Sequence, residues 1–306
     1  MRTDTPDAGF LGAPIQPDLA LIDAELAILG VPHGWPYPRP GATAGCADAP
    51  AAVRSRSRRL ARFVDHWDFD LGGPMRLPAL VDAGDVPGDP LDGPGNAGRT
   101  REAVSAILER GAIPICLGGD DSVPIPILRA YEGRGPITVV QVDAHLDFRD
   151  EVDGVRDGYS SPMRRASEMA HVARIVQVGL RGVGSARASD VDDARAAGNL
   201  LVTARELRQR GVAWLLAQLP ADASVFVSFD CDGLDPSVVP GVSAPAPGGL
   251  GYDEAWDLLA GIGPRLAGAA FTEYVPGLDA AGIGALVLTR LVLALVCSPT
   301  ERLIGP

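Results

Sequence analysis

Short apolar runs recur along the chain at about residues 25–31, 77–81, 113–117, 137–142, 174–178, 199–202, 224–229 and 267–271. Runs such as 137–142 and 224–229 lack the in-and-out alternation of a half-exposed strand, which is the pattern of a parallel strand buried on both faces. Between most of them the apolar positions switch to helical spacing, as at 99–110, 124–131, 204–217 and 253–262. Strands alternating with helices predict an α/β chain whose eight-stranded, mostly parallel sheet is covered on both faces. No internal repeat, low-complexity linker or compositional boundary divides the pattern, so one domain spanning 1–306 is expected. Pro- and Gly-rich stretches at 34–45, 84–95 and 236–251 follow strands and read as long loops around one rim, where long loops of a compact domain usually carry function.

Composition narrows the partners. A chain of 306 residues with 46% hydrophobic content can bury one large core. Its 27 basic and 39 acidic residues leave a net charge of -12, which argues against nucleic acid and anionic membrane and favours a small cationic substrate. Cys46, Cys116, Cys231 and Cys297 lack CxxC spacing and mostly sit in or beside apolar runs, as buried thiols of a reducing cytoplasm do. Residues 1–23 show no basic-then-apolar leader, and the apolar stretch 281–296 is interrupted by Arg290 and too short to span a bilayer. A cytoplasmic location is expected.

Chemistry concentrates where three apolar runs end, at Gly118-Gly119-Asp120-Asp121-Ser122, Asp143-Ala144-His145-Leu146-Asp147 and Ser228-Phe229-Asp230-Cys231-Asp232. Side chains two apart on a strand share a face, so at a strand end Asp143, His145 and Asp147 can converge, as can Asp230 and Asp232. A single Asp-x-Asp after a strand is ordinarily a turn or a helix cap. Three acidic runs after buried strands, with one histidine among them, instead suit a dinuclear site for hard to borderline divalent ions, Mn2+ first and Zn2+ or Ni2+ less well. The C-terminal ends of parallel strands are also where open α/β sheets hold ligands. Cys231 lies between two of these acids, but alternation turns it to the opposite face, toward the core.

These runs, with Gly30-Val31-Pro32, Arg39-Pro40-Gly41-Ala42, Asp82-Ala83-Gly84-Asp85-Val86, Gln177-Val178-Gly179-Leu180-Arg181-Gly182, the continuation of the third run to Asp235-Pro236, Pro240-Gly241, Pro245-Ala246-Pro247-Gly248-Gly249 and Glu273, resemble the ureohydrolase family. That family contains arginase and agmatinase, and the likeness is closer to agmatinase-like members. The resemblance implies a three-layer α/β/α fold and two Mn2+ ions per chain. It implies hydrolysis of a guanidino compound, agmatine or a guanidino acid, to urea and an amine by a hydroxide shared between the ions. By the same resemblance Asp143 and Asp230 bridge both ions, Asp147 binds the first, and His145 and Asp232 bind the second. Glu273 receives the guanidinium, and Asp147 passes a proton to the leaving amine. A homo-oligomer, trimer or hexamer, is implied as well.

Two positions depart from the family pattern. Where the family has Gly-Gly-Asp-His-Ser, with the histidine a ligand to the first ion, this chain has Asp121. An aspartate reaches about as far and makes that ion's shell all carboxylate, from Asp121, Asp143, Asp147 and Asp230, which alters metal preference; otherwise the first ion is weak or absent. The loop after Asp147 has no histidine in Gly158-Tyr159-Ser160-Ser161-Pro162-Met163-Arg164-Arg165, leaving Tyr159 or a water to replace it. His33 follows a strand end and is the other histidine placed near the rim, while His66 and His171 suit the surface or packing. In the loop 148–157, Arg149 or Arg156 would suit a substrate carboxylate, and Asp150, Glu151 or Asp153 an amine. Two further readings stay open: a catalytically silent relative that binds a ligand or partner subunit, and a hydrolase of another amidino or formimino C–N bond.

Overall fold

The computed structural model describes residues 1–38 and 44–297, so the Arg39-Pro40-Gly41-Ala42 run lies outside the described residues. The eight apolar runs form β1 (Leu26–Gly30), β2 (Leu80–Asp85), β3 (Ile113–Leu117), β4 (Ile137–Val142), β5 (Val172–Leu180), β6 (Leu200–Thr203), β7 (Ser224–Asp230) and β8 (Leu266–Thr272). All pair in parallel, in the order β2-β1-β3-β8-β7-β4-β5-β6. The helices are α1 (Ala49–Ser57), α2 (Gly93–Glu109), α3 (Pro124–Arg129), α4 (Pro162–Ser167), α5 (Ala188–Ala196), α6 (Ala204–Arg210), α7 (Val212–Leu216), α8 (Tyr252–Ile262) and α9 (Ile283–Val296).

Neighbouring residues of a strand enter different cores. Ile28, Val140, Val142 and Val227 pack with Val53 of α1, Leu207 of α6, Leu215 of α7, Leu258 of α8 and Leu291 of α9. Ala27, Leu29, Val139 and Phe226 pack with Ile107 of α2, Leu128 of α3, Met163 of α4 and Ala194 of α5. The sheet therefore lies between two helical layers, which is why its strands carry no polar alternation. Fully burying one Leu, Ile or Phe is worth about 1.5–3 kcal/mol, so both layers hold the strands, and hence their polar ends, firmly in place.

Three departures from the sequence pattern have local causes. β2 begins and ends later than residues 77–81, because Pro78 has no N–H for a ladder and Arg54 of α1 draws the polar Asp82 into the sheet. The predicted helix at 204–217 is split by Gly211, whose φ of 82° no helix accepts. The apolar stretch ending at Val296 becomes α9, packed on α1 and α8, with Arg290 stacked 4.7 Å from the Trp256 ring and paired with Asp68 and Asp70. Among the described residues no helix is long and apolar enough to cross a membrane.

The strand order decides where the polar ends meet. β3, β8, β7 and β4 lie side by side, and Leu117, Phe271, Phe229 and Val142 stand in one row across them. The segments that follow this row start from a common rim. The chain reaches β4 from β3 only by passing the positions later filled by β8 and β7, so this rim lies where connections diverge, the kind of crevice in which open α/β sheets bind ligands.

Candidate metal centre

Six of the predicted site residues line one cleft: Asp121, His145, Asp147, Asp230, Asp232 and Glu273. Asp143 lies beneath them, fully buried. Ligand-capable atoms of Asp143, His145 and Asp232 fall within 4.8 Å of one another, and so do those of Asp121, Asp143 and Asp230. Asp143 thus belongs to both groups. Asp147 lines the same cleft, and the charges of Asp143 and Asp121 bear on its carboxyl.

Local backbone geometry creates this convergence. After β3 the chain turns through Gly118 and Gly119, with φ of 90° and 79°; a Cβ on Gly119 would lie 2.6 Å from the Val31 carbonyl oxygen, so only glycine fits. That turn interlocks with the end of β8: the Glu273 amide donates to the Gly119 carbonyl at 3.0 Å, and the Asp121 amide donates to Glu273 Oε1 at 2.9 Å. The acidic turns also bind their own backbone, as Asx residues do. The His145 amide donates to Asp143 Oδ1 at 2.5 Å, the Asp232 amide to Asp230 Oδ1 at 2.7 Å, and the Ala144 amide to Asp232 Oδ1 at 3.1 Å. Asp147 and Glu273 both hold left-handed backbone, φ 45° and 61°, which costs a non-glycine residue on the order of 1–3 kcal/mol and is typical of functional positions.

The electrostatics are those of crowded acids. Burial, reinforced by the charge of neighbouring acids with Asp143 common to all three, pushes Asp121, Asp147 and Asp230 well above the usual carboxylate range. Burial pushes Asp143 up to about 6 and, with Asp120 nearby, Glu273 up to about 8. Hydrogen bonds to Asp143 and Asp232 push His145 up to about 10; its Nδ1 lies 3.0 Å from Asp232 Oδ2. Thr272 Oγ1 donates to Asp121 Oδ1 at 2.7 Å, but Asp121 Oδ2 is buried without a hydrogen-bond partner. A buried charge without a partner is expensive. Orphaned carboxylate oxygen, clustered acids and one imidazole together fit divalent cations of hard to borderline character.

The cleft has a volume of about 420 Å3, and Tyr159, Ser160, Val183, Gly184, Ser185, Ser243 and Ala244 complete its wall. Tyr159 therefore occupies the wall in the loop that lacks histidine, its ring 4.3 Å from that of Tyr37. His33 does not reach this cleft; it sits with Trp35, Ser122 and Pro126 at a separate small hollow. His66 is exposed, and His171 packs with Nε2 2.8 Å from the Leu128 carbonyl oxygen. Four charged residues of the loop 148–157 are paired outside the cleft, Arg149 with Asp190 at 3.0 Å, Arg156 with Asp150 at 3.1 Å and Asp157 with Arg129 at 2.5 Å. None of Arg149, Asp150, Glu151, Asp153 or Arg156 lines it. Cys231 is buried in the core, as strand alternation requires. Sequence reasoning missed Thr272 and Gln141, whose Nε2 donates to Asp143 Oδ2 at 2.6 Å. For Gln141 the available signal is an amide inside an otherwise apolar run. A larger cleft of about 600 Å3, lined by Leu11, Val64, Met75 and Leu77 among others, contains none of the metal-site acids.

Comparison with known proteins agrees with the fold. The sequence model of the arginase family matches residues 24–297. The mitochondrial agmatinase of Gallus gallus is 31% identical over 296 residues, which cover 94% of this chain and 84% of that protein. Proclavaminate amidino hydrolase from Streptomyces clavuligerus superposes with a TM-score of 0.80 at 29% identity, covering 96% of this chain and 97% of that one. Formiminoglutamase from Trypanosoma cruzi, in a structure with Mn2+, superposes with a TM-score of 0.80 at 29% identity, covering 90% of this chain and 93% of the other.

Proposed function

Because this chain belongs to the arginase family, we propose that it is a Mn2+-dependent amidinohydrolase that cleaves a guanidino compound to urea and an amine. The observation that carries this reading is the meeting of two ligand groups on one carboxylate, Asp143. In this reading Asp121, Asp143, Asp147 and Asp230 hold the first ion, and Asp143, His145, Asp230 and Asp232 hold the second. An oxygen-rich set with one imidazole favours Mn2+ over Zn2+ or Ni2+. The bound pair supplies Lewis acidity, which makes water nucleophilic near neutral pH.

This chain's own residues do the rest. Glu273 receives the guanidinium, whose planar N–H groups match a carboxylate; Asp121 N–H and the Cys46 thiol, 3.7 Å from Oε2, hold that carboxylate in place. Asp147 takes a proton from the water as it adds to the guanidino carbon and delivers it to the leaving nitrogen as the C–N bond breaks. One water is consumed, and its oxygen ends in urea. Homo-oligomeric assembly, trimeric or hexameric, belongs to the same reading and is checked by sedimentation.

The test is urea release from the Mn2+-loaded chain across a panel that includes agmatine, several guanidino acids and a formimino compound. Urea from at least one guanidino compound, lost on chelation and restored by Mn2+, is the expected result. Formamide or ammonia without urea transfers the activity to formimino C–N bonds, for which the likeness to formiminoglutamase speaks. No product from any compound, despite bound metal, overturns the enzyme reading in favour of a silent one.

A further inference from the structure

Behind Asp143 a row of amide side chains crosses the sheet. Gln141 of β4 and Gln177 of β5 are register partners, and Asn199 immediately precedes β6. Asn199 Nδ2 donates to Gln177 Oε1 at 2.8 Å, Gln177 Nε2 donates to Gln141 Oε1 at 2.7 Å, and Gln141 Nε2 donates to Asp143 Oδ2 at 2.6 Å. Gln177 Nε2 also donates to the Leu146 carbonyl at 2.6 Å, inside the turn that carries His145 and Asp147. Gln141, Gln177 and Asp143 are fully buried, and Asn199 nearly so.

The direction of the row is set at its inner end. An ionised carboxylate only accepts, so Gln141 must turn its NH2 toward Asp143 and its oxygen away. That oxygen then requires a donor, which fixes Gln177, and the same reasoning fixes Asn199. Each amide therefore aims its positive end toward the carboxylate shared by the two ligand groups, in an interior where successive hydrogen bonds reinforce one another. Two glutamines at positions flanked by valine are a poor choice for packing alone, because each polar head must be desolvated.

We propose that Gln141, Gln177 and Asn199 are positioning residues for the metal centre. Gln141 and the His145 amide each bind one oxygen of Asp143 and so would fix the orientation of the carboxylate common to both ligand groups, and Gln177 steadies the turn between His145 and Asp147. The row carries this constraint from the edge of the sheet, since β6 is the terminal strand. The inference rests on the dinuclear reading given above.

Gln141→Leu, Gln177→Leu and Asn199→Ala test it, compared with the unaltered chain by Mn2+ binding isotherms and by electron paramagnetic resonance of the loaded protein. Thermal melting of each chelated variant identifies those that fold. Outer partners of a ligand typically hold 10- to 100-fold of metal affinity. Gln141→Leu is expected to raise the Mn2+ dissociation constant by roughly that factor, Gln177→Leu by less and Asn199→Ala by the least. At loadings that saturate the unaltered chain, the signal of a spin-coupled Mn2+ pair is expected to give way to that of isolated ions. Asn199→Ala changes a peripheral side chain and keeps the test available where an inner variant does not fold. Isotherms and coupled signal unchanged in the folded variants overturn the positioning role and leave the dinuclear reading standing. An unaltered chain that binds fewer than two ions overturns both.

Discussion

Asp82 of β2 and Asp143 after β4 are both fully buried carboxylates on the same sheet, and their surroundings are opposite in kind. Arg54 meets Asp82 with two parallel bonds, Nε to Oδ2 at 2.8 Å and Nη2 to Oδ1 at 2.9 Å, and the amides of Phe10 and Gly84 bind the same oxygens at 2.8 and 3.1 Å. Asp143 instead has Asp121, Asp147, Asp230 and Asp232 around it, with His145 as its basic contact and an oxygen of Asp121 left unpartnered. Both acids sit in short acidic motifs beside a strand, so residue type and spacing do not separate them. The guanidinium does. An acid whose charge serves the fold arrives with its own cation, whereas five aspartates gathered around a single imidazole hold more acid than His145 can balance, an arrangement suited to cations from outside.

Four experiments break or sharpen this contrast. Asp143→Ala removes the carboxylate common to both ligand groups, so urea release falls to background and Mn2+ binding is lost, read by product assay and elemental analysis. Arg54→Ala leaves Asp82 buried and unpaired, at an expected cost of about 3–5 kcal/mol in denaturant unfolding, with the Mn2+ stoichiometry of the folded fraction unchanged. Equal loss of metal would show the two regions to be one.

The third experiment is a pH series on chelated protein. Asp143 is raised from 3.8 to about 6, Glu273 from 4.5 to about 8 and His145 from 6.5 to about 10, so each holds its proton more tightly folded than unfolded. The stability this contributes is present below the unfolded values and is lost as pH rises through the folded ones. Melting temperature should therefore fall between pH 5 and pH 9, with Asp143 contributing at the acid end of that range and His145 at the alkaline end. Added Mn2+ should raise it more at pH 9 than at pH 5, since ions bind the deprotonated ligands. A chelated protein most stable at pH 9 would contradict the arrangement. The smallest effect is expected from Asp121→Asn, which relieves the crowding of buried acids and slightly stabilises the chelated chain, read by thermal melting, while weakening metal binding. Asp82→Asn, at the matched pair, should destabilise.

Much of the site is legible in the chain itself. The two-residue period of a strand is local, so the convergence of Asp143 with His145 and Asp147, and of Asp230 with Asp232, is written in their spacing. Glu273 has no such periodic signal; only the family resemblance points to it, and only β8 between β3 and β7 carries it to the rim. The bounds of β2 are not legible, because Asp82 reads as loop until its partner Arg54, from a distant helix, is known. The charges of 148–157 look available for a substrate, yet Asp190 and Arg129 lie elsewhere in sequence and engage two of them. The amide row is equally hidden, because a glutamine in an apolar run has no meaning until its register partner is known.

By itself the sequence determined the α/β alternation, the eight strands and the acids that end three of them, because each depends on periodicity within a few residues. Only the tertiary structure decided which buried acid is matched by a guanidinium and which outnumber their one imidazole, that the charged residues of 148–157 do not line the cleft, and that Asn199 is linked to Asp143. Those features join residues distant in the chain, and their energies depend on partner, distance and burial, which strand order and register set and which no local pattern encodes.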